Sequence, residues 1–421
     1  MLNLITSAAD TSHLHKMKER KNILFITAIF PYPLTSGGAQ AQFGIMNELR
    51  KEHNLIVMFN QDRVNTLDKM KQLSELWPDV KFIPYPFRTQ MLNLHFLFNM
   101  VKRGFQTFFT PDSTRFQIDR AIRSVSIYQS KRLERFINRI IDEYSIDIVQ
   151  TEFYPTIGLV SCLPDKVRKV FIQHEIHYIK NERLFQHMNL NRRERKRFRK
   201  SREFEIASLN AYDVVVTLTA KDKELLEESG VRSEIYVSPA AVITKDHPYL
   251  EYDGRLTFLG GSTHTPNSEG VTWLIDEVMP LLKTERKPML DLIGKGWDGV
   301  KKVDGLEIHT HGYVENLPPV LRGSVMVVPI LSGSGMRMKI LEAAANSVPI
   351  ITTTVGVEGL DFVNGESCLI ADTPADFAAA IDTLVNDKDM RRRLGENAHD
   401  VYMAKYTAKS LAQVRNQLYL R

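Results

Sequence analysis

The most informative stretch of this chain reads PILSGSGMRMKILEAAANSVPIITTTVGVEGL (residues 329–360). Its pattern predicts a strand that ends at Pro329, a turn of serines and glycines, and a helix that begins near Met336. The first backbone N–H groups of a helix have no partner within the helix, and its dipole is positive at that end. Arg337 and Lys339 add two cations to the first turn. We therefore predict an anion site, and a pyrophosphate is the ligand that needs so many donors and positive charges.

Glu342 lies one turn further along the same predicted helix. It follows Lys339 by three residues, so the two side chains lie on nearly the same face. A carboxylate in that position can accept hydrogen bonds from both hydroxyls of a ribose. In an alternative interpretation this is an ordinary amphipathic helix, on which Lys339 and Glu342 form a weak surface ion pair. The motif alone leaves both interpretations open.

Around this motif the chain alternates short apolar strands with helices. The predicted strands of the second half are GRLTFLGG (254–261), MLDLIGKG (289–296), LEIHTHGYV (306–314), SVMVVPI (324–330) and PIITTTVG (349–356). A helix is predicted over 266–283, and terminal helices over 376–406. This rhythm is typical of a parallel α/β sheet, so we predict a Rossmann-like domain over residues 242–404.

The first half of the chain repeats the same rhythm. Its predicted strands are KNILFITAIFPYP (21–33), NLIVMFN (54–60), SIDIVQTEF (145–153), KVFIQHE (169–175), YDVVVTLT (212–219) and EIYVSPAAV (234–242). Gly37 and Gly38 follow the first strand, where glycine permits close backbone approach. We predict a Rossmann-like domain over 22–241, joined by a final helix at 405–421. Two doubly wound domains imply a central cleft that binds the ligand, with the Gly37 and Gly38 amides facing it.

Composition sets the limits of function. A chain of 421 residues is long enough for two domains, and 43% hydrophobic with 25% charged residues excludes wholesale disorder. Two cysteines cannot build a disulfide framework, and no Cys/His cluster has zinc spacing, so we predict no metal site. Residues 1–21 lack a secretory signal and are expected to be a disordered leader. No run of about 18 apolar residues predicts a membrane span, and we expect a cytoplasmic protein.

The positive charge is concentrated in one region. Residues 166–202 carry thirteen Lys/Arg and three Asp/Glu, and the densest part is RRERKRFRKSR (192–202). This segment is either a solvated helix with internal ion pairs or a surface for an anionic membrane or a phosphorylated acceptor. Nucleic acid is disfavoured because aromatic residues are not interleaved. The apolar segment 91–109 is likewise either core or an interfacial helix, which would place the protein peripherally at the inner face of a membrane.

The segment from the Ser-Gly turn to residue 360, together with HGYVENLPPVLRGSVMVVPI (311–330), resembles the donor site of the retaining glycosyltransferase family 4, which has the GT-B fold. The resemblance is strong over 254–400 and looser in the first half, where Gly37-Gly38 and Gln173-His174 match. It implies transfer of a sugar from a UDP- or GDP-linked donor to a hydroxyl of a glycan or lipid-linked acceptor, with retained anomeric configuration. It implies no metal or other cofactor.

The resemblance also assigns roles to individual residues. Glu342 would bind the ribose, Arg337 and Lys339 the diphosphate, and His174 would lie against the donor sugar near the reacting carbon. The other predicted donor-binding residues are Gly37, Gly38, Gly261, Tyr313, Val314, Ser334, Gly335 and Met336. Without the resemblance, His174 is equally a helix cap or a partner of Glu175.

Two departures from the family pattern are visible. Ser334 stands where the family usually has a glutamate that touches the donor sugar, eight positions before Glu342. The stretch GGSTHTPNSEG (260–270) lacks the Arg and Lys that commonly follow the first strand of the second domain, which leaves Arg337 and Lys339 as the predicted diphosphate cations. Two alternatives stay open: a GT-B-type nucleotide-sugar epimerase, and a non-catalytic nucleotide-binding scaffold.

Overall fold

The computed structural model describes residues 20–34, 36–61, 66–85, 129–186, 188–242, 247–301, 303, 305–333 and 336–420. Nearly all of the predicted leader and the whole apolar segment 91–109 lie outside the described residues. The predictions made for those two segments therefore stay predictions.

The first domain is a parallel sheet covered by helices. Its strands, within the described residues, are β1 (Asn22–Thr27), β2 (Asn54–Asn60), β3 (Lys81–Tyr85), β4 (Ile148–Glu152), β5 (Arg168–Gln173), β6 (Val214–Thr217) and β7 (Glu234–Val237), in the spatial order 3-2-1-4-5-6-7. Its helices are α1 (Gly37–Glu52), α2 (Thr66–Leu76), α3 (Lys131–Glu143), α4 (His177–Phe185), α5 (Arg192–Leu209) and α6 (Ala220–Glu228), with a 3₁₀ segment at Tyr154–Cys162.

The second domain repeats this architecture. Its strands are β8 (Arg255–Leu259), β9 (Met289–Ile293), β10 (Ile308–Gly312), β11 (Val325–Val328), β12 (Ile350–Thr352) and β13 (Leu369–Ile370), in the order 10-9-8-11-12-13 among the residues described. Its helices are α7 (Thr265–Trp273), α8 (Pro318–Leu321), α9 (Met338–Ala345), α10 (Thr354–Val357), α11 (Pro374–Asn386) and α12 (Lys388–Lys405). The predicted fold, two doubly wound α/β domains, is confirmed.

The central strands are continuous apolar runs because helices cover both faces of each sheet. Every residue of β11 is buried, and five of the six residues of β1 are buried. Each sheet reverses its strand order next to its first strand: between β1 and β4 in one domain, and between β8 and β11 in the other. Ligands of such sheets bind beyond the carboxyl ends of the strands at this reversal.

The last helix of the chain, α13 (Ala408–Tyr419), packs on the first domain. Leu411 and Leu418 join the apolar core that β1 and α1 build. The chain therefore passes through the second domain and returns to complete the core of the first.

Two predicted helices differ in extent from the observed ones. The predicted helix over 266–283 ends as α7 at Trp273 and continues as a π turn at Leu274–Val278 and a 3₁₀ turn at Met279–Leu281. Pro280 explains the change, because proline lacks an N–H and its ring clashes with the carbonyl four residues before it. The motif helix α9 begins at Met338, two residues after the predicted start.

Candidate functional site

A cleft of about 1570 Å³ lies where the two domains face each other. It is lined by loops that follow β1, β4 and β5 in the first domain and β8, β9, β10 and β11 in the second. The predicted site residues that line it are Gly37, Gly38, His174, Gly261, Tyr313, Val314, Met336, Arg337, Lys339 and Glu342. Ser334 and Gly335 lie outside the described residues.

Two helix starts meet in this cleft. Ser36 caps α1, and its hydroxyl accepts a hydrogen bond from the Ala39 N–H at 3.2 Å. A Cβ atom at Gly37 would lie 3.4 Å from the Met338 side chain, at the start of α9. A Cβ at Gly38 would lie 3.1 Å from the Phe153 ring. The starts of α1 and α9 thus face each other across the cleft, and it is Gly38, beside Phe153, that leaves no room for a side chain.

Arg337 and Lys339 are drawn into the protein rather than spread over its surface. Arg337 is only 8% exposed, and burial lowers its pKa, although Glu358 and Glu175 oppose that effect. The Lys339 ammonium donates to Asn267 Oδ1 at 2.8 Å and lies 4.1 Å from the centre of the Phe258 ring. Burial, and then the charge of Arg337, lower the pKa of Lys339 well below its ordinary value. Two desolvated cations held this close favour binding of an anion.

Glu342 is buried on the same wall of the cleft. It is 5% exposed, and burial raises the pKa of its carboxyl group to about 7. The interpretation of Lys339 and Glu342 as a surface ion pair is therefore wrong, because Lys339 binds Asn267 and Glu342 is enclosed. A desolvated carboxylate gains free energy from any hydroxyl donors that a ligand brings.

The other end of the same wall is built from tightly packed glycine loops. Gly294 has φ 137°, and a Cβ atom there would lie 2.5 Å from the backbone carbon of Gly260. The Trp297 indole N–H donates to the Gly260 carbonyl at 2.8 Å and fixes this loop. Tyr313 is 42% exposed, with the Lys295 ammonium 5.9 Å from its ring centre. A flat, exposed ring beside a glycine surface can stack with a planar base.

On the opposite wall, His174 follows β5 and contacts two residues at the end of β4. Its Nε2 lies 3.0 Å from Glu152 Oε2, and its ring stacks on Phe153 with centres 3.9 Å apart and planes at 13°. Burial alone raises the pKa of Glu152, but the hydrogen bond and charge of His174, with the charge of Arg415, hold it below its ordinary value. The interpretation of His174 as a partner of Glu175 is wrong.

Glu175 binds a different partner, the Lys180 ammonium, at 2.8 Å. The cap of α4 also comes from elsewhere: Glu205 on α5 accepts from the His177 and Tyr178 N–H groups at 2.9 and 3.0 Å. Both alternatives for His174 thus fail, and its ring belongs to the cleft wall.

Arg183 on α4 joins the two domains beside Gly333, which follows β11. Its Nη1 donates to the Gly333 carbonyl and lies 3.4 Å from Glu358 Oε2. Glu358, directly after α10 in the second domain, thus pairs with an arginine of the first domain. Nothing local marks Arg183 among the many cations of 166–202, so sequence reasoning missed it.

Asn267, Lys295 and Glu152 were also missed, and each had a usable signal. Asn267 accepts from Lys339 and donates to the Gly261 carbonyl at 2.9 Å, which links helix α7 to the glycine loop. Lys295 stands between two glycines directly after a strand, and Glu152 ends a strand next in order to the one that carries His174. Polar residues at carboxyl ends of adjacent parallel strands meet at one edge.

Two searches of the described part of the chain had negative results. No group of three or more His, Cys, Asp or Glu residues there has the arrangement needed to hold a metal ion. Within the same residues, none of the helices combines the length and apolar character needed to cross a membrane.

Comparison with sequence families and curated proteins covers part of the chain. Residues 253–387 match the family model described as "Glycosyl transferases group 1". The chain is 25% identical to an "Uncharacterized 44.6 kDa protein in cps region" of Klebsiella pneumoniae over 183 residues. This alignment covers 39% of the present chain. The match spans about half (47%) of the length of that relative.

Comparison with solved structures covers nearly the whole chain. Sucrose-phosphate synthase from Thermosynechococcus elongatus superposes with a TM-score of 0.67 at 16% identity, over 95% of this chain and 98% of that one. A TarM variant from S. aureus, in complex with Fondaparinux, alpha-GlcNAc-glycerol and UDP, has a TM-score of 0.64 at 11% identity, over 95% and 99%. Anabaena HepE, in complex with UDP and glucose, has a TM-score of 0.64 at 12% identity, over 94% of this chain and 98% of that one.

The two Rossmann-like sheets, the cleft at both strand reversals and these superpositions define a protein of the GT-B class. The match to the group 1 glycosyltransferase model falls within the second domain of this fold, over residues 253–387.

Proposed function

We propose that this protein is a retaining glycosyltransferase of family 4 that transfers a hexose from a nucleotide-diphosphate sugar to an acceptor hydroxyl. One observation carries the proposal: Arg337, Lys339, a helix start and the buried Glu342 line one wall of the interdomain cleft, and His174 lines the opposite wall. No resident cofactor or metal ion is part of the proposed reaction.

The chemistry follows from where charge develops. Departure of the nucleotide diphosphate builds negative charge on its outer phosphate. Arg337, Lys339 and the amides at the start of α9 stabilise that charge as it forms, which lowers the barrier directly. The sugar gains oxocarbenium character, and the acceptor hydroxyl attacks from the face that the phosphate leaves. The departing phosphate accepts the proton of that hydroxyl.

Several residues have proposed donor-binding roles. Glu342 accepts hydrogen bonds from the ribose hydroxyls, and Tyr313 and Val314 flank the base. Gly261 and Met336, with Ser334 and Gly335, complete the donor loop, while the Gly37 and Gly38 amides face the sugar phosphate. His174 lies against the donor sugar near the reacting carbon.

UDP is the nucleotide we favour over GDP. The TarM and HepE structures that superpose on this chain are complexes with UDP. The acceptor we propose is a growing glycan or a lipid-linked sugar in polysaccharide assembly, because the Klebsiella relative is encoded in the cps region, a polysaccharide locus.

Donor binding is the first test. Thermal melting of the purified chain is recorded with UDP, GDP, ADP and their glucose conjugates, because a ligand of the folded state raises the apparent melting temperature. We expect the largest increase with UDP or UDP-glucose, and loss of that increase in Glu342→Ala. An equal response to all three nucleotides would contradict the preference for UDP, and an undiminished response in Glu342→Ala would contradict the proposed site.

Turnover separates the proposal from its rivals. Labelled UDP-glucose is incubated with the protein, with and without a polysaccharide acceptor extract. Transfer that depends on the extract supports the glycosyltransferase. Conversion of the donor to an epimer without acceptor would indicate an epimerase, and binding without any turnover would indicate a scaffold.

We also propose that helix α5 holds the protein at the anionic cytoplasmic face of a membrane. Its exposed cations are Arg192, Arg193, Arg195, Lys196, Arg199 and Lys200. Each such charge near an anionic lipid surface contributes about 1 kcal/mol. Sedimentation with vesicles of phosphatidylglycerol and phosphatidylcholine tests this. We expect binding to fall with added salt and with neutral vesicles; no binding to either would favour a solvated helix.

A further inference from the structure

The C-terminal helix α13 buries two polar side chains against the first domain. Arg415 and Tyr419 on α13 are 4% and 2% exposed. A helix that served only to cover the sheet would bury apolar residues there, because a buried polar group costs free energy unless it is bonded. Their bonding partners therefore indicate what the helix holds in place.

A continuous chain of hydrogen bonds runs from this helix to His174. The Tyr419 hydroxyl donates to Gln150 Oε1, and Gln150 Nε2 donates to Glu152 Oε1 at 2.6 Å. Glu152 Oε2 then lies 3.0 Å from His174 Nε2. The first and last members are separated by most of the chain, so only the return of α13 onto the first domain connects them.

Arg415 adds a buried positive charge to this region, one turn before Tyr419 on the same helix. Glu152 is 2% exposed, and a buried carboxylate requires an opposite charge and hydrogen bonds to remain ionised. The hydrogen bond and charge of His174, and then the charge of Arg415, lower the pKa of Glu152 against the effect of burial. Burial raises the pKa of the Tyr419 hydroxyl, and the charge of Arg415 opposes that rise. The Arg415 Nε donates to Ser238 Oγ at 3.1 Å, which fixes the guanidinium plane.

Phe153 restrains the histidine ring from a second direction. Its backbone has φ 70° and ψ 149°, a region that residues with a side chain rarely occupy. In this conformation its ring stacks on His174 at 3.9 Å. Stacking fixes the plane of the imidazole, while the bond to Glu152 fixes its rotation within that plane.

We propose that Arg415 and Tyr419 are positioning residues for His174. They keep Glu152 charged and oriented, so that His174 carries its proton on Nε2 and presents Nδ1 as an acceptor toward the ligand. The C-terminal helix is thus part of the site as well as of the core. The effect on turnover rests on the proposed function, whereas the effect on the histidine tautomer does not.

The experiment compares two substitutions of Arg415 with a matched control. Arg415→Met removes the charge, Arg415→Lys retains it, and Lys409→Met changes an exposed cation of the same helix. The ¹⁵N spectrum of the imidazole, assigned by its loss in His174→Ala, reports which ring nitrogen carries the proton. Kinetics with labelled UDP-glucose report kcat and KM.

In Arg415→Met we expect loss of the Nε2–H tautomer and a fall in kcat of about 10- to 100-fold, the scale of a misplaced group, with donor KM within about twofold. Arg415→Lys is expected to retain most of the Nε2–H tautomer and most of the original kcat. Lys409→Met should match the original protein. A folded Arg415→Met with the original tautomer and kcat would overturn the proposal.

A second variant guards against simple unfolding, because Arg415→Met removes one positive charge from the surroundings of the buried Glu152 carboxylate. The double variant Arg415→Met/Glu152→Gln removes both charges. Gln150 would still donate to the amide oxygen of Gln at this position, whose NH₂ group would then face His174. We expect a folded protein whose His174 proton has moved to Nδ1, and an unchanged Nε2–H tautomer would overturn the proposal. If the tautomers respond as expected but no form transfers sugar, the positioning role stands and the proposed function fails.

Discussion

The two walls of the cleft are built in opposite ways. On the second domain, Arg337, Lys339 and Glu342 come from six consecutive residues at the start of one helix. On the first domain, His174 depends on Glu152 from the neighbouring strand and on Arg415 and Tyr419 from the end of the chain. The first wall, which we call the donor wall after its proposed role, is a local motif. The second, which we call the histidine wall, is assembled from distant segments of the chain.

The difference decides how each wall responds to change. The amides and cations of the donor wall all belong to the start of one helix, so their arrangement depends on little beyond the first turn of α9. The histidine wall needs correct packing of three separate segments and a buried charge pair. We therefore expect single substitutions on the donor wall to act on phosphate chemistry directly, and those on the histidine wall to act through geometry.

The sharpest test of the donor wall is Arg337→Met. Removing a cation from the point where phosphate charge develops is expected to lower kcat about 10²- to 10³-fold. Sugar transfer from labelled UDP-glucose measures this, and a thermal melt checks that the protein stays folded. Arg132→Met, which changes an exposed cation of α3, is the matched control. Undiminished turnover would mean that Arg337 does not stabilise the phosphates, and the proposed difference between the walls would then be wrong.

The histidine wall is tested by His174→Ala. Loss of the ring is expected to reduce kcat about 100-fold while donor affinity changes less than about threefold, because the proposed place of the ring is near the reacting carbon. Stopped single-turnover transfer, together with a binding isotherm for UDP, separates the two quantities. A lower melting temperature with normal kcat would make His174 a structural residue and leave the donor wall alone in the reaction.

The pH dependence of donor binding sharpens the comparison further. Burial raises the pKa of Glu342 to about 7, so the carboxylate is mostly protonated at pH 6 and mostly ionised at pH 8. If the ionised form accepts the ribose hydroxyls, affinity for UDP-glucose rises up to about tenfold between these pH values. UDP-glucose is used because it lacks the terminal phosphate ionisation of UDP. Glu342→Gln should bind weakly and show no such rise; the same slope in that variant would assign it to another group.

The smallest expected effect concerns the link between the walls. Arg183 of the first domain donates to the Gly333 carbonyl and pairs with Glu358, but about a third of its side chain is exposed. Water therefore competes for its bonds, and we expect Arg183→Ala to raise donor KM only about threefold, with kcat nearly unchanged. Steady-state kinetics at two salt concentrations measure this. A loss of kcat as large as in Arg337→Met would make Arg183 a third phosphate cation.

The same contrast explains how much the sequence could predict. The fold and the donor wall were readable, because strand runs, helix periodicity and the cations around Met336 are all local signals. His174 was found at the end of its strand, but its partner was not Glu175. To identify Glu152 as the partner of His174, the order of β4 and β5 in the sheet must be known. To identify Arg415, the path of the last helix must be known. Such contacts follow from topology, which no local pattern encodes.

The return of α13 has a consequence for synthesis of the protein on the ribosome. The second domain is one continuous stretch, so all of its strands emerge before residue 405. The first domain starts to emerge earlier but lacks Leu411 and Leu418 until the whole second domain has been synthesised. The part made first is thus the last to finish folding, and a nascent chain stalled near residue 400 would hold a completed second domain beside a first domain whose apolar surface is still open to chaperones.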